Sequence, residues 1–157
     1  MDYRKLSDCK RTGARYFVRL DKGEEITESL LAFCRKEKIL LAGIRAIGAA
    51  DEVETGVFYP AEKEYRSNRF VGDFEILSLL GTVTEKDGEP YLHLHISCGD
   101  GEGKAFGGHL TKAVVSVTCE AVVETFPGKV GRKKDESLGI NLFDFGEEPV
   151  GKHRRRK

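Results

Sequence analysis

A single stretch of this chain repeats its apolar residues at helical spacing, and nearly everything around it reads as strand. Ile26, Leu30, Phe33 and Cys34 recur at three- and four-residue intervals. Glu24, Glu25 and Glu28 stand at the start, and Arg35, Lys36 and Lys38 at the far end. That charge order suits the helix dipole and predicts a helix over residues 25–37. One helix among many strands points to an α+β domain, a largely antiparallel β-sheet packed with one main helix.

The strands are marked by turn chemistry as much as by apolar content. Arg15–Leu20 is aromatic and β-branched and stops at Asp21-Lys22-Gly23, the pattern of a first strand and its turn. Ile39–Ala50 is an apolar run broken by Gly43 and Gly48, which predicts a bulge or a close approach at a glycine. Val53–Tyr59 reads as another strand. Phe70–Thr84 reads as one long strand or hairpin arm that turns at Lys86-Asp87-Gly88-Glu89. Tyr91–Cys98 follows, then the loop Gly99-Asp100-Gly101-Glu102-Gly103. Lys112–Phe126 closes the set, with Val115, Val117, Cys119, Ala121 and Val123 expected along one face. Residues 15–128 thus read as the domain, 1–14 as an N-terminal extension and 129–157 as a C-terminal extension. Within the latter, Ile140–Phe145 is an apolar patch fit to dock on the domain or on a neighbour. The basic end is expected to be disordered.

Three histidines carry the chemical interest. Residues two apart on a strand share a face, so Tyr91, His93, His95 and Ser97 lie on one side and Leu92, Leu94, Ile96 and Cys98 on the other. The Cα atoms of His93 and His95 are then about 6.5–7 Å apart, near enough for two ring nitrogens to meet one ion. His109 comes after a glycine-rich loop able to turn back beside that strand. Zinc held by three neutral imidazoles keeps a position open for water or substrate, the habit of catalytic rather than closed sites. Glu75, Asp100 and Glu120 are the carboxylates considered as supports for such ligands, with Glu75 or Glu120 as a general base. The competing reading is a set of hydrogen-bonded histidines on a solvated sheet face. Cys98 is turned away by the strand alternation.

Charge and composition bound the alternatives. A chain of 157 residues with 39% hydrophobic and 33% charged residues suits one globular domain. No apolar run approaches the ~18 residues of a membrane-spanning helix, and Met1-Asp2-Tyr3-Arg4-Lys5 opens no signal peptide. A cytoplasmic protein is expected. The zero net charge conceals an asymmetry: residues 1–128 hold 17 Lys and Arg against 21 Asp and Glu, and residues 129–157 hold 9 against 5. Cys9, Cys34, Cys98 and Cys119 form no C-x-x-C pair and read as reduced thiols, with Cys34 and Cys119 as core fillers. Neither a P-loop, a G-x-S-x-G elbow nor a Rossmann fingerprint is present.

The runs Gly72-Asp73-Phe74-Glu75-Ile76-Leu77-Ser78-Leu79-Leu80-Gly81, Asp87-Gly88-Glu89-Pro90-Tyr91-Leu92-His93-Leu94-His95, Gly107-Gly108-His109-Leu110 and Val117-Thr118-Cys119-Glu120 together resemble the PPC domain, conserved in plants and prokaryotes. The likeness extends from about Tyr16 to Pro127. It implies a compact α+β domain that assembles as a homotrimer. In plants the domain is joined to AT-hook motifs in nuclear regulators of transcription. The prokaryotic members mostly stand alone and are provisionally described as DNA-binding, without a settled activity. The fold is similar to that of acetolactate decarboxylase, a zinc enzyme with three histidine ligands, which implies His93, His95 and His109 as ligands here. Two departures stand out. There is no AT-hook, Lys129–Lys134 being a distant echo, and Asp73 occupies the place of an arginine in the plant segment.

Three functions follow as expectations. One is a DNA-binding or regulatory module whose basic tail, with Lys152, Arg154, Arg155, Arg156 and Lys157, neutralises phosphates. Another is a metal-dependent lyase or hydrolase acting on a small oxygenated substrate. The third is a trimeric scaffold or small-molecule sensor with the histidines at a subunit boundary.

Overall fold

The computed structural model describes residues 1–9 and 13–146. The basic run from Lys152 to Lys157 lies outside them. Eight strands and one helix follow in the order β1 (Asp2–Cys9), β2 (Gly13–Asp21), α1 (Ile26–Glu37), β3 (Ala42–Tyr59), β4 (Glu64–Lys86), β5 (Glu89–Gly99), β6 (Ala105–Thr125), β7 (Gly131–Asp135) and β8 (Ile140–Asp144). The α+β reading, with a largely antiparallel sheet and one helix, is the observed class.

The helix begins where charge order placed it. Glu25 caps it, its carboxylate accepting from the amides of Thr27 at 3.1 Å and Glu28 at 2.6 Å. The same carboxylate accepts from the Ala113 amide at 3.0 Å, tying the helix start to β6. At the other end Lys38 takes a left-handed conformation with φ of 56°. The amides of Lys38 and Ile39 return there to the carbonyls of Arg35 and Cys34. Ile26, Leu30, Phe33 and Cys34, the residues of the helical repeat, are all fully buried. Phe33 meets Tyr3 and Tyr16 edge-on, at centroid distances of 4.9 and 5.3 Å. Both tyrosine hydroxyls donate to Glu37. Tyr3 belongs to β1, which pairs antiparallel with β2. Residues read as an extension thus add a strand to the sheet.

The ladder closes on itself in its central part. β6 pairs with β3, β3 with β4, β4 with β5, and β5 back with β6. The other half of β6 pairs with β2. Where the ladder closes, at residues 95–99 of β5 and 105–109 of β6, β5 has a strand on each flank. β3 is one strand where the sequence suggested two, with register shifts between Ala46 and Gly48 and between Ala50 and Glu52. A Cβ on Gly48 would overlap the Thr118 carbonyl, so a glycine is needed for this close approach, as the broken apolar run implied.

Opposite Gly48 the expectation for β6 fails at one residue. Cys119 pairs with Gly48 and Val115 with Ala50, so four steps on β6 face two on β3. The extra residues bulge, and Val117 is 70% exposed while Val115, Cys119, Ala121 and Val123 stay in the core. After Pro127 the chain forms a β7–β8 hairpin. β7 joins β4 in parallel at Glu85 and Gly131. Among the described residues no helix is long and apolar enough to cross a membrane.

Candidate metal centre

β5 and β6 bring the three histidines together. Leu94, Ile96 and Cys98 point into the core, while His93 and His95 stand on the opposite face. Across the ladder His95 is the direct partner of His109, so the third ring arrives beside the pair. The ring centroids lie 5.3 Å apart for His93 and His95, 5.2 Å for His93 and His109, and 5.5 Å for His95 and His109. One ligand nitrogen from each lies within 4.8 Å of the others. Nitrogens about 2.0–2.1 Å from a shared tetrahedral zinc are roughly 3.4 Å apart, a difference that small ring rotations can close.

The electrostatics suit a metal ligand set. Burial, followed by the neighbouring His109, Arg132 and His95, holds His93 below the ordinary histidine range. Burial and His95 do the same for His109. Both rings are thereby kept neutral near pH 7, the form that binds a cation. Cys98 is buried on the far side, and burial pushes its thiol up to about 11. It therefore remains a protonated core residue.

Tyr65 braces the third histidine. Its ring lies edge-on to His109 with centroids 5.8 Å apart, and its hydroxyl is 2.8 Å from Thr111 Oγ1. Gly56, the β3 partner of His109, makes this possible, because a Cβ there would overlap the Tyr65 ring.

The histidines open into a cavity of about 660 Å³, within the range of small-molecule sites. Its walls include Lys63, Tyr65, Tyr91, Arg132 and Asn141, and no aspartate or glutamate is among the described residues that line it. The carboxylates considered from sequence lie elsewhere. Glu75 is exposed opposite Gly99 on β5. Asp100 shapes its own loop, accepting from the amides of Glu102 and Lys104 at 2.9 and 2.8 Å. Glu120 lines a separate groove beside Phe17 and Ile47.

Arg132 is a cavity residue that the sequence did not single out, as it did not single out Lys63 and Tyr65. Its guanidinium lies between two rings, 4.9 Å from the Tyr91 centroid and 4.4 Å from that of Phe143. Nε donates to Thr84 Oγ1 at 2.8 Å and Nη1 to the Asn141 carbonyl at 3.3 Å. In the sequence Arg132 was one charge in the run Lys129–Lys134. Nothing there distinguished it from its neighbours.

The family model of the Plants and Prokaryotes Conserved (PCC) domain matches residues 7–127. A Bacteroides thetaiotaomicron protein provisionally described as DNA-binding is 33% identical, with a TM-score of 0.84 over 91% of this chain and 97% of its own. A plant- and prokaryote-conserved protein from Pyrococcus horikoshii is 37% identical, with a TM-score of 0.80 over 85% and 92%. A metal-containing protein from Archaeoglobus fulgidus is 34% identical, with a TM-score of 0.80 over 85% and 94%. Acetolactate decarboxylase from Bacillus subtilis subspecies spizizenii shares the fold alone, at 20% identity and a TM-score of 0.52 over 70% and 52%. A bifunctional protein GlmU from Synechococcus is 28% identical over 128 residues, which span 79% of this chain and 19% of that protein.

Proposed function

Because this chain belongs to the Plants and Prokaryotes Conserved domain family, we propose that it is a trimeric metal-binding domain that receives a small molecule at its three-histidine cavity. One observation carries the reading. Ligand nitrogens of His93, His95 and His109 lie within 4.8 Å of one another beside a cavity of about 660 Å³. Three imidazoles without a thiolate suit zinc, and a metal-containing relative is consistent with this. Bound there, the ion would polarise a carbonyl or lower the pKa of a water, which a lyase or hydrolase acting on a small oxygenated substrate requires. The chain's own part is to hold the rings neutral, to brace His109 through Tyr65 and to wall the ligand space with Tyr91 and Asn141.

The trimer is supported by large apolar side chains exposed along one row of the sheet. Phe17, Val122, Arg45, Leu80 and His95 are successive partners across β2, β6, β3, β4 and β5. Phe17 is 53% and Leu80 57% exposed. Large apolar side chains left exposed on a sheet face suit a contact surface, and the row, which also carries Arg45, ends at His95.

Elemental analysis of the purified full chain tests the metal, with His93→Ala as the control. Stoichiometric zinc in the native protein and its loss in the variant are expected. A metal-free protein that refuses zinc at neutral pH overturns the reading.

A second reading is DNA binding through Lys152, Arg154, Arg155, Arg156 and Lys157, favoured by a relative provisionally described as DNA-binding. Phosphate contacts by a basic tail give affinity that falls with salt and carries little sequence preference. Titration of duplex DNA at several salt concentrations, with the full chain and with a form ending at Pro149, decides it. Equal affinity of the two forms removes the tail from any role.

A further inference from the structure

We infer that the histidine cavity takes a small anionic ligand, a carboxylate or a phosphate group, and that the guanidinium of Arg132 is its anchor. The inference rests on reading this cavity as the working site, whichever ion it holds. Its first support is charge. Lys63 and Arg132 line the cavity and, among the described residues, no acidic side chain does. A bound divalent cation would add to that imbalance, and an anion is the ligand that offsets it.

The second support is an unfinished hydrogen-bond set. Arg132 has its Nε on Thr84 and its Nη1 on the Asn141 carbonyl. Its Nη2 is shut off from solvent and has no acceptor among the described residues. A buried donor without a partner is costly, the more so on a charged group. The missing partner is an oxygen, and a carboxylate or phosphate oxygen gives the strongest, charge-assisted bond. The stacking of the guanidinium between Tyr91 and Phe143 fixes its plane before any ligand arrives, so little freedom remains to be lost on binding.

Thr84 has a positioning part. It is 1% exposed and accepts from Arg132 Nε at 2.8 Å, which orients the fork without touching the cavity. The β7–β8 hairpin that carries Arg132 meets β4 in register only at Glu85 and Gly131. Binding requires that hairpin to shift far enough for a ligand oxygen to reach Nη2.

The test is calorimetric titration of the full chain, with and without stoichiometric zinc. The probes are lactate, inorganic phosphate and lactamide, the neutral analogue of lactate. Lactate or phosphate should bind at least tenfold more tightly than lactamide, and the tighter of the two names the anion. Arg132→Gln should remove that preference in the metal-free chain, reduce it severalfold in the zinc-loaded one, and leave lactamide unchanged. Thr84→Val, close in shape and free of the acceptor, should weaken the anions about threefold and spare lactamide, a separate measure should Arg132→Gln not fold. Equal binding of all three probes, or a preference that is undiminished in whichever of the variants folds, overturns the inference and leaves the metal reading standing. Zinc refusal with an intact, Arg132-dependent preference does the reverse.

Discussion

His95 and His109 face each other as direct partners on adjacent antiparallel strands, their ring centroids 5.5 Å apart. Residues so paired point to the same side of the sheet, with Cβ atoms about 4.5–5.5 Å apart. Replacing either by phenylalanine should therefore keep the strand pairing and abolish tight zinc binding. Competition with a chelating indicator, read beside far-UV circular dichroism, checks both halves. Unchanged zinc affinity in His109→Phe would exclude that ring as a ligand.

Acidification should destabilise the metal-free protein through the same rings. Burial holds His93 and His109 below the ordinary histidine range, so the unfolded chain takes up protons first as the pH falls. Stability is then full above the unfolded value of about 6.5 and is lost as the pH drops through the folded values. Urea midpoints measured between about pH 7 and pH 5 should fall, and less steeply in His93→Gln. A flat native profile would contradict this.

Glu25 caps α1 and also accepts from Ala113 on β6. Glu25→Ala should thus cost about 1–2 kcal/mol, the upper part of the range for a helix cap. Glu25→Gln, which keeps an acceptor oxygen, should cost less. Chemical denaturation of the two variants gives the comparison.

Leu80 lies in the exposed row beside His95 and is the β4 partner of that histidine. Leu80→Glu should dissociate a native trimer to monomers of native secondary structure, as read by sedimentation equilibrium. A native protein that sediments as a monomer would remove the assembly from the proposed function.

What the sequence disclosed depended on whether a feature is local. Helix α1 was legible because Ile26, Leu30, Phe33 and Cys34 carry its period within one segment. The shared face of His93 and His95 was legible for the same reason, since alternation along β5 decides it. The arrival of His109 opposite His95 needed pairing across the glycine loop, which the resemblance supplied and spacing alone did not. Val117 was misread because it sits in a bulge of β6 that shows only in the pairing of Val115 and Cys119 with Ala50 and Gly48 of β3, which its own segment does not disclose. The uninterrupted length of β3 was hidden by Asp51 and Glu52, polar residues at its second register shift. Arg132 was hidden most completely. Its environment of Thr84, Tyr91 and Phe143 comes from three separate strands.

The closed ladder of β3, β4, β5 and β6 divides the site into a fixed floor and an exchangeable cover. His95 and His109 are bonded on both flanks of their strands, so their spacing is inherited from the ring. Arg132, Ile140 and Asn141 arrive from chain beyond it, on a hairpin past residue 127, where the family match ends. Floor and cover can therefore vary independently. A graft that replaces residues 129–146 should redirect which molecule enters while the histidine triangle below keeps its dimensions.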